Sequence, residues 1–179
     1  MIMKFIFSGL GGQGVLLMGY SLAHAAMGAG YQATYLPSYE AEVQGATASC
    51  TVIISDKEIA SPVASDAQYA VAMSNQSVIA LEQIISPGGS MFLNSSNINI
   101  RPSREDISVS AIPAGEIAGK IGEPLAANIV MMGALIKKIG IIPPNIFRKS
   151  FKAILESKKK SLTDSNRKSF DAGYKYLKS

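Results

Sequence analysis

Four glycines fall within six residues, Gly9-Leu10-Gly11-Gly12-Gln13-Gly14, and this is where the chain has the clearest chemical potential. Gly9, Gly11 and Gly14 fit the spacing G-x-G-x-x-G. The apolar run Met3 to Phe7 precedes them, and an Ala-, Leu- and Met-rich segment from Gln13 to about Met27 follows. The turn therefore lies between a buried strand and a helix. Glycines there allow positive φ, let a ligand approach the backbone and let the helix pack close to the strand. The first N–H groups of the helix are left unpaired and favour an anion in front of them. Such a turn can cradle a phosphate or pack tightly against a partner, and the spacing alone does not choose.

Other reactive residue types are sparse. His24 is the only histidine and sits mid-helix among alanines, so neither a proton-transfer pair nor a Ser–His–Asp set can be assembled. Cys50 is the only cysteine. It lies in an apolar strand-like run and reads as a buried inert thiol, and the chain cannot by itself supply the four thiolates of an ordinary iron–sulfur cluster. The carboxylates show no metal-ligand spacing. A dinucleotide site would want an acid at the end of the second strand, which here ends Tyr35-Leu36-Pro37-Ser38. Glu40 and Glu42 follow only beyond the proline. The loop from Pro37 to Thr47 comes at the carboxyl edge of the second strand. Its Ser38, Tyr39, Glu42, Gln44 and Thr47 make it a candidate contact surface. Asn128 is the polar exception in an apolar helix, bonded to a neighbouring backbone or facing a ligand or partner.

The elements that must position these residues follow from periodicity. Strands are predicted at Met3–Phe7, Tyr31–Leu36, Ala48–Ile54, Tyr69–Met73, Ser90–Leu93 and Ile107–Ile112. The first two, joined by the first helix, read as a parallel βαβ unit with a right-handed crossover. Asp56-Lys57 reads as a hairpin tip with Glu58 to Ala60 returning, and Ser86-Pro87-Gly88-Gly89 as a turn after a helix at Asn75–Ile85. From Pro124 a helix carrying Leu125, Ile129, Val130, Met131, Met132, Leu135, Ile136 and Ile139 leaves little room for a polar face, and Gly140 stops it. Pro143-Pro144 starts a helix with Phe147, Phe151 and Leu155 on one stripe. A last helix from about Thr163 groups Phe170, Tyr174 and Leu177. The expectation is α/β: a three-layer, mostly parallel, Rossmann-like sheet with helices on both faces. It is read as one domain over 1–179, with the helices from about 124 packing on the sheet.

With 47% apolar and 17% charged residues, the chain is globular. The net charge of +4 gathers at Lys158-Lys159-Lys160, Arg167 and Lys168, with no interleaved aromatic recognition element, so no nucleic-acid partner is expected. No apolar run reaches the roughly 20 residues of a membrane span, and the N-terminal run is too short for a signal peptide, so the expectation is a cytoplasmic protein without a membrane partner.

Gly9-Leu10-Gly11-Gly12-Gln13-Gly14-Val15, then Leu36-Pro37-Ser38-Tyr39, then Glu42-Val43-Gln44-Gly45-Ala46-Thr47-Ala48 resemble the gamma subunit of the 2-oxoacid:ferredoxin oxidoreductases. Pro87-Gly88-Gly89, Asn94-Ser95-Ser96, Ile112-Pro113-Ala114, Ala127-Asn128 and Met132-Gly133-Ala134-Leu135 are similar to the same family, so the resemblance spans nearly the whole chain. It implies a gamma subunit without catalytic residues, in a complex that decarboxylates a 2-oxoacid oxidatively to an acyl-CoA and reduces ferredoxin. It also implies alpha and beta partners, often a delta, that carry thiamine diphosphate, magnesium and [4Fe-4S] clusters, with CoA as co-substrate. No cofactor is implied on this chain, and a homodimer is a further expectation for the chain in isolation. Glu40, Gln44 and Ala46 stand where the family commonly has Gly, Arg and Gly, which removes a positive charge and adds a negative one. Two rival readings remain: a stand-alone nucleotide-binding oxidoreductase, and an assembly module that binds no small molecule.

Overall fold

The computed structural model describes residues 1–40, 47–155 and 160–177, the side chains of Glu40 and of residues 160–163 excepted. Six strands form one sheet in the order β2-β3-β1-β4-β5-β6. They are β1 (Ile2–Leu10), β2 (Gln32–Glu40), β3 (Thr47–Ser55), β4 (Ala67–Ala72), β5 (Ile85–Asn94) and β6 (Ser108–Ile112). β1, β4, β5 and β6 pair in parallel; β3 runs antiparallel to both of its neighbours. Among the described residues the α-helices are α1 (Val15–Gly28), α2 (Asn75–Glu82), α3 (Ala114–Ile121), α4 (Ala127–Ile139), α5 (Pro144–Leu155) and α6 (Lys160–Tyr176).

Period-2 alternation divides the core between the two sheet faces. Phe5, Phe7, Cys50, Val52, Val71, Phe92 and Ile112 face α1, α3 and α4. Ala70, Ala72, Met91 and Leu93 face the opposite way and are covered by Val78 and Leu81 of α2. Helices thus lie on both faces, as expected of an α/β fold.

Several local expectations are corrected. The first βαβ unit is not a pair of adjacent strands, because β3 inserts between β1 and β2 and bonds to each along nine residues. The antiparallel pair therefore joins β2 to β3 through residues 41–46, and not β3 to a return at Glu58–Ala60. Those residues form no strand; Glu58 and Ala60 are exposed, so the segment has no apolar face to bury. Ser86–Gly89 is an irregularity inside β5: Ala67 pairs with Ile85 and Tyr69 with Ser90, with Gly88 at φ 74 taking up the extra length. α3 went unpredicted, although Ala114, Ala118, Glu116 in its first turn, Lys120 in its last and the stop at Gly122 spell it out. Leu125 is 86% exposed, because Pro124–Ala126 makes a separate 3-10 turn ahead of α4 that leaves its side chain outside the core. Finally, α5 rests on α1 and α6 on α4, making an outer layer on the helices and not on the sheet.

Candidate functional site

β1 and β4 are adjacent and parallel, yet β1 continues into α1 on one face and β4 into α2 on the other. The chain reverses its winding here, and the crevice outside the carboxyl ends of two such strands is where open α/β sheets take ligands. The glycine turn forms one wall and Met73–Asn75 the other.

The turn is held by Gln13. Its Oε1 accepts the Leu10 N–H at 2.7 Å and its Nε2 donates to the Met73 carbonyl at 3.0 Å. The side chain therefore spans the crevice and ties its walls together. Gly9 is glycine because a Cβ would stand 2.6 Å from Val15, 2.7 Å from Gln13 Oε1 and 2.9 Å from Met73. Gly14 caps α1 in the left-handed region, φ 73, with no side-chain cap on the helix. A Cβ on Gly14 would collide with Asn128 Nδ2, which donates to the Gly14 carbonyl at the long end of hydrogen-bond range, 3.5 Å. Asn128 is buried, and its Oδ1 accepts the Ile129 N–H. Asn128 thus reaches the turn from α4, more than a hundred residues away in sequence. Only Gly11 and Gly12 are left facing outward. Both are exposed, and at Gly12, φ 87, a Cβ would meet nothing within 4 Å.

The sheet register brings the second loop to the same edge. Leu10 pairs with Thr47 and Thr47 with Glu40; Gly9 pairs with Ala48 and Ala48 with Tyr39. Tyr39 therefore stands two strand spacings, about 10 Å, from Gly9. Tyr39 is 73% exposed, Ser38 exposed and Thr47 half-buried. Tyr39 shares the α1 face with Tyr35, whose hydroxyl donates to the Leu16 carbonyl at 3.3 Å. Glu42 and Gln44 lie outside the described residues. Sequence reasoning missed Met73, whose carbonyl anchors Gln13, and Leu125. That exposed leucine borders a groove of about 200 Å³ with Leu17, Glu123, Asn128 and Ile129. A larger hollow, about 480 Å³ between α5 and α6, is lined by neither Gly11 nor Gly12.

The chemistry of the site is that of an exposed backbone turn. Beneath it Ser8 donates to Ser77 at 3.0 Å and Ser77 lies 2.8 Å from Ser74, the cap of α2. These hydroxyls are buried and brace the two walls. His24 is exposed on α1 beside Tyr20, away from the turn. Burial pushes the Cys50 thiol up to about 12, and its S–H points at the Val15 carbonyl at 3.5 Å. A protonated, buried single thiol does not fit a cluster. Among the described residues no three of His, Cys, Asp and Glu gather as metal ligands. Among the same residues no helix is long and apolar enough to cross a membrane.

A reversal-point α/β sheet with a packed glycine turn defines the class, a Rossmann-like domain in which β3 parts the end of β2 from that turn. The chain belongs to the pyruvate ferredoxin/flavodoxin oxidoreductase family, whose model matches residues 4–176. It is 32% identical over 173 residues to ketoisovalerate oxidoreductase subunit VorA of Methanothermobacter thermautotrophicus, covering 96% of this chain and 35% of that one. It thus spans about a third of the length of that relative. It is also 32% identical over 174 residues to 2-oxoglutarate synthase subunit KorC of Methanocaldococcus jannaschii, covering 96% of this chain and 91% of that one. Among solved structures it resembles the gamma subunit of a keto/oxoacid ferredoxin oxidoreductase from Geobacter sulfurreducens. The TM-score is 0.82 and the identity 26%, over 97% of this chain and 96% of that one. A 2-oxoglutarate:ferredoxin oxidoreductase from Magnetococcus marinus shares the fold, with a TM-score of 0.88 at 21% identity, over 99% of this chain and 32% of that one.

Proposed function

We propose that this chain is a non-catalytic gamma subunit of a 2-oxoacid:ferredoxin oxidoreductase. The observation that carries the reading is the end-to-end likeness to a gamma subunit of matching length, 97% of this chain and 96% of that one. The complex would decarboxylate a 2-oxoacid oxidatively, form an acyl-CoA and pass the electrons to ferredoxin, in the cytoplasm. Thiamine diphosphate, magnesium and [4Fe-4S] clusters would then sit on alpha, beta and delta partners; for the clusters this agrees with the single cysteine of this chain, a buried thiol that cannot supply four thiolates.

Its own contribution is a surface at the carboxyl edge of the sheet. Gly11 and Gly12 offer bare backbone, held in place by Gln13, Gly9, Gly14 and Asn128. Ser38 and Tyr39 at the end of β2, Thr47 at the start of β3, and Glu42 and Gln44 between them complete it. Tyr39 supplies a large amphipathic contact, and residues of this kind are enriched where proteins meet.

The test is reconstitution. The purified chain, supplied with CoA and thiamine diphosphate, should be colourless and should reduce no acceptor with any 2-oxoacid. Co-expressed with the alpha and beta chains of such a complex from the same organism, it should copurify and restore turnover. Reproducible turnover by the chain alone would sink the reading, as would full activity of the complex without it.

A further inference from the structure

Phe147, Phe151 and Leu155 recur at helical spacing along α5, and all three are buried. With Phe170 of α6 they line the hollow of about 480 Å³ between the two helices. The rings brace one another: Phe147 stacks on Phe170 at 4.8 Å and on Phe151 at 5.9 Å. The Arg148 guanidinium lies 5.4 Å from the centre of the Phe170 ring, and Asp171 holds it there at 2.7 and 2.8 Å. A hollow of this size, with an apolar aromatic lining and a few polar groups around it, is the usual form of a small-molecule site.

The mouth of the hollow is cationic. Lys149, Lys152 and Arg167 line it against one carboxylate, Asp164, which Arg167 holds only loosely at 3.8 Å. Lys149 and Lys152 are exposed, and among the described residues no carboxylate pairs with either. They stand one turn apart on α5, where like charges repel and an anion between them relieves the repulsion. Their aliphatic stems extend the apolar wall while their ammonium groups stay in water. From this we infer that the hollow binds an amphiphilic anion, a fatty carboxylate. Its chain enters among Phe147, Phe151, Leu155 and Phe170, and its head stays at the mouth with Lys149 and Lys152. The chain leaves water, which stabilises the complex, and the charge remains solvated, so no unpaired ion is buried. The four apolar side chains are each less than a tenth exposed, so a slender chain reaches them and the face of a partner helix does not. The site uses α5 and α6 alone and stands whether or not the chain serves in a larger complex.

Titration calorimetry of the full chain with sodium decanoate, below its micelle concentration, is the test. Binding should saturate at one decanoate per chain. Hexanoate, which is shorter by four methylenes, should bind on the order of a hundredfold more weakly, the loss expected for that much buried hydrocarbon. Lys149→Gln combined with Lys152→Gln should weaken decanoate by about tenfold, with 1-decanol and the far-UV spectrum unaffected. Lys57→Gln, which does not line the hollow, should bind as the wild type does. Asn166→Phe, on the α6 wall, should crowd the hollow and weaken decanoate and decanol alike. A chain that takes up no decanoate would overturn the inference, as would binding indifferent to both the double lysine variant and Asn166→Phe. So would binding to phosphatidylglycerol vesicles without binding of the free carboxylate, or α5 amides protected from exchange only when a subunit of different sequence is present.

Discussion

Gln13 is the residue on which the glycine turn depends. It satisfies the Leu10 N–H and the Met73 carbonyl at once, across two adjacent strands. Gln13→Ala should therefore cost about 1–3 kcal/mol, since both groups lose their partner in a half-buried place, and thermal melting will measure it. Gly14 and Asn128 form a coupled pair. Gly14→Ala meets both a left-handed φ and the Asn128 amide, whereas Asn128→Ala clears the space but leaves the φ. The double variant should be more stable than the sum of the two losses predicts, by about 0.5–3 kcal/mol in a mutant cycle. Additive losses would mean that Asn128 does not crowd the turn. Cys50 yields a pH prediction. Its thiol is raised from 9.0 to about 12 in the fold, so the folded state favours the protonated form. The resulting stability is fully present below the ordinary thiol range and is lost as pH rises from about 9 toward 12. Denaturant midpoints should fall over that window and fall less steeply in Cys50→Ala. The native thiol should also stay silent to a disulfide reagent at mildly alkaline pH, and react once the chain is unfolded.

At the scale of elements, the C-terminal helices are fastened by two glycines. A Cβ on Gly133 of α4 would run into the Phe170 carbonyl of α6, and one on Gly173 of α6 into the Val130 carbonyl of α4. The two backbones touch there, and neither can yield without moving a helix. Gly133→Ala and Gly173→Ala should each cost about 3 kcal/mol, the upper end of what overpacking does, even though alanine is the better helix former. A melting temperature that rises in either variant would contradict this packing. On the opposite face, Arg104 holds the end of α2 by donating to the carbonyls of Glu82 and Ile85, at 3.0 and 2.6 Å, while paired with Asp106. That clamp ties the irregular 97–107 segment to the smaller of the two cores.

For the whole molecule, the consequence is a surface and not a cleft. The Gln13 side chain spans the reversal-point crevice, and β2 runs past Pro37 to end at Glu40, but β3 parts it from β1 and so holds that end two strand spacings from the glycine turn. NAD and NADP should accordingly bind far more weakly than about micromolar, roughly −8 kcal/mol, by titration calorimetry. Tight binding would return the chain to the stand-alone oxidoreductase class. The contact surface is tested by Tyr39→Ala and Glu42→Ala, scored by copurification with the alpha and beta chains. If Glu42 meets a donor in a buried pair, its loss should cost about 2–5 kcal/mol of association while leaving the melt of the isolated chain unchanged. Assembly unchanged in both variants would make the loop a plain connector.

Much of this was legible in the residue order, for a physical reason. A buried strand, an amphipathic helix or a glycine turn is set by neighbours in sequence, so Met3–Phe7, the start of α5 at Pro144 and the stop at Gly140 could be read locally. The scarcity of histidine and cysteine could be read too, and one of each bounds what a fold can assemble. Pairing is another matter. Nothing local to Thr47–Ser55 says that it will part β1 from β2, because strand order depends on which faces are buried together. Leu125 falls outside the core because a short 3-10 turn changes direction faster than a hydrophobic pattern can report, whereas the eight-residue α3 is marked in the sequence only by its terminal signals. The approach of Asn128 to Gly14, and of Gly133 to α6, joins segments far apart in the chain. Only tertiary packing decides such contacts, because only there does the volume of one side chain become the limit on another.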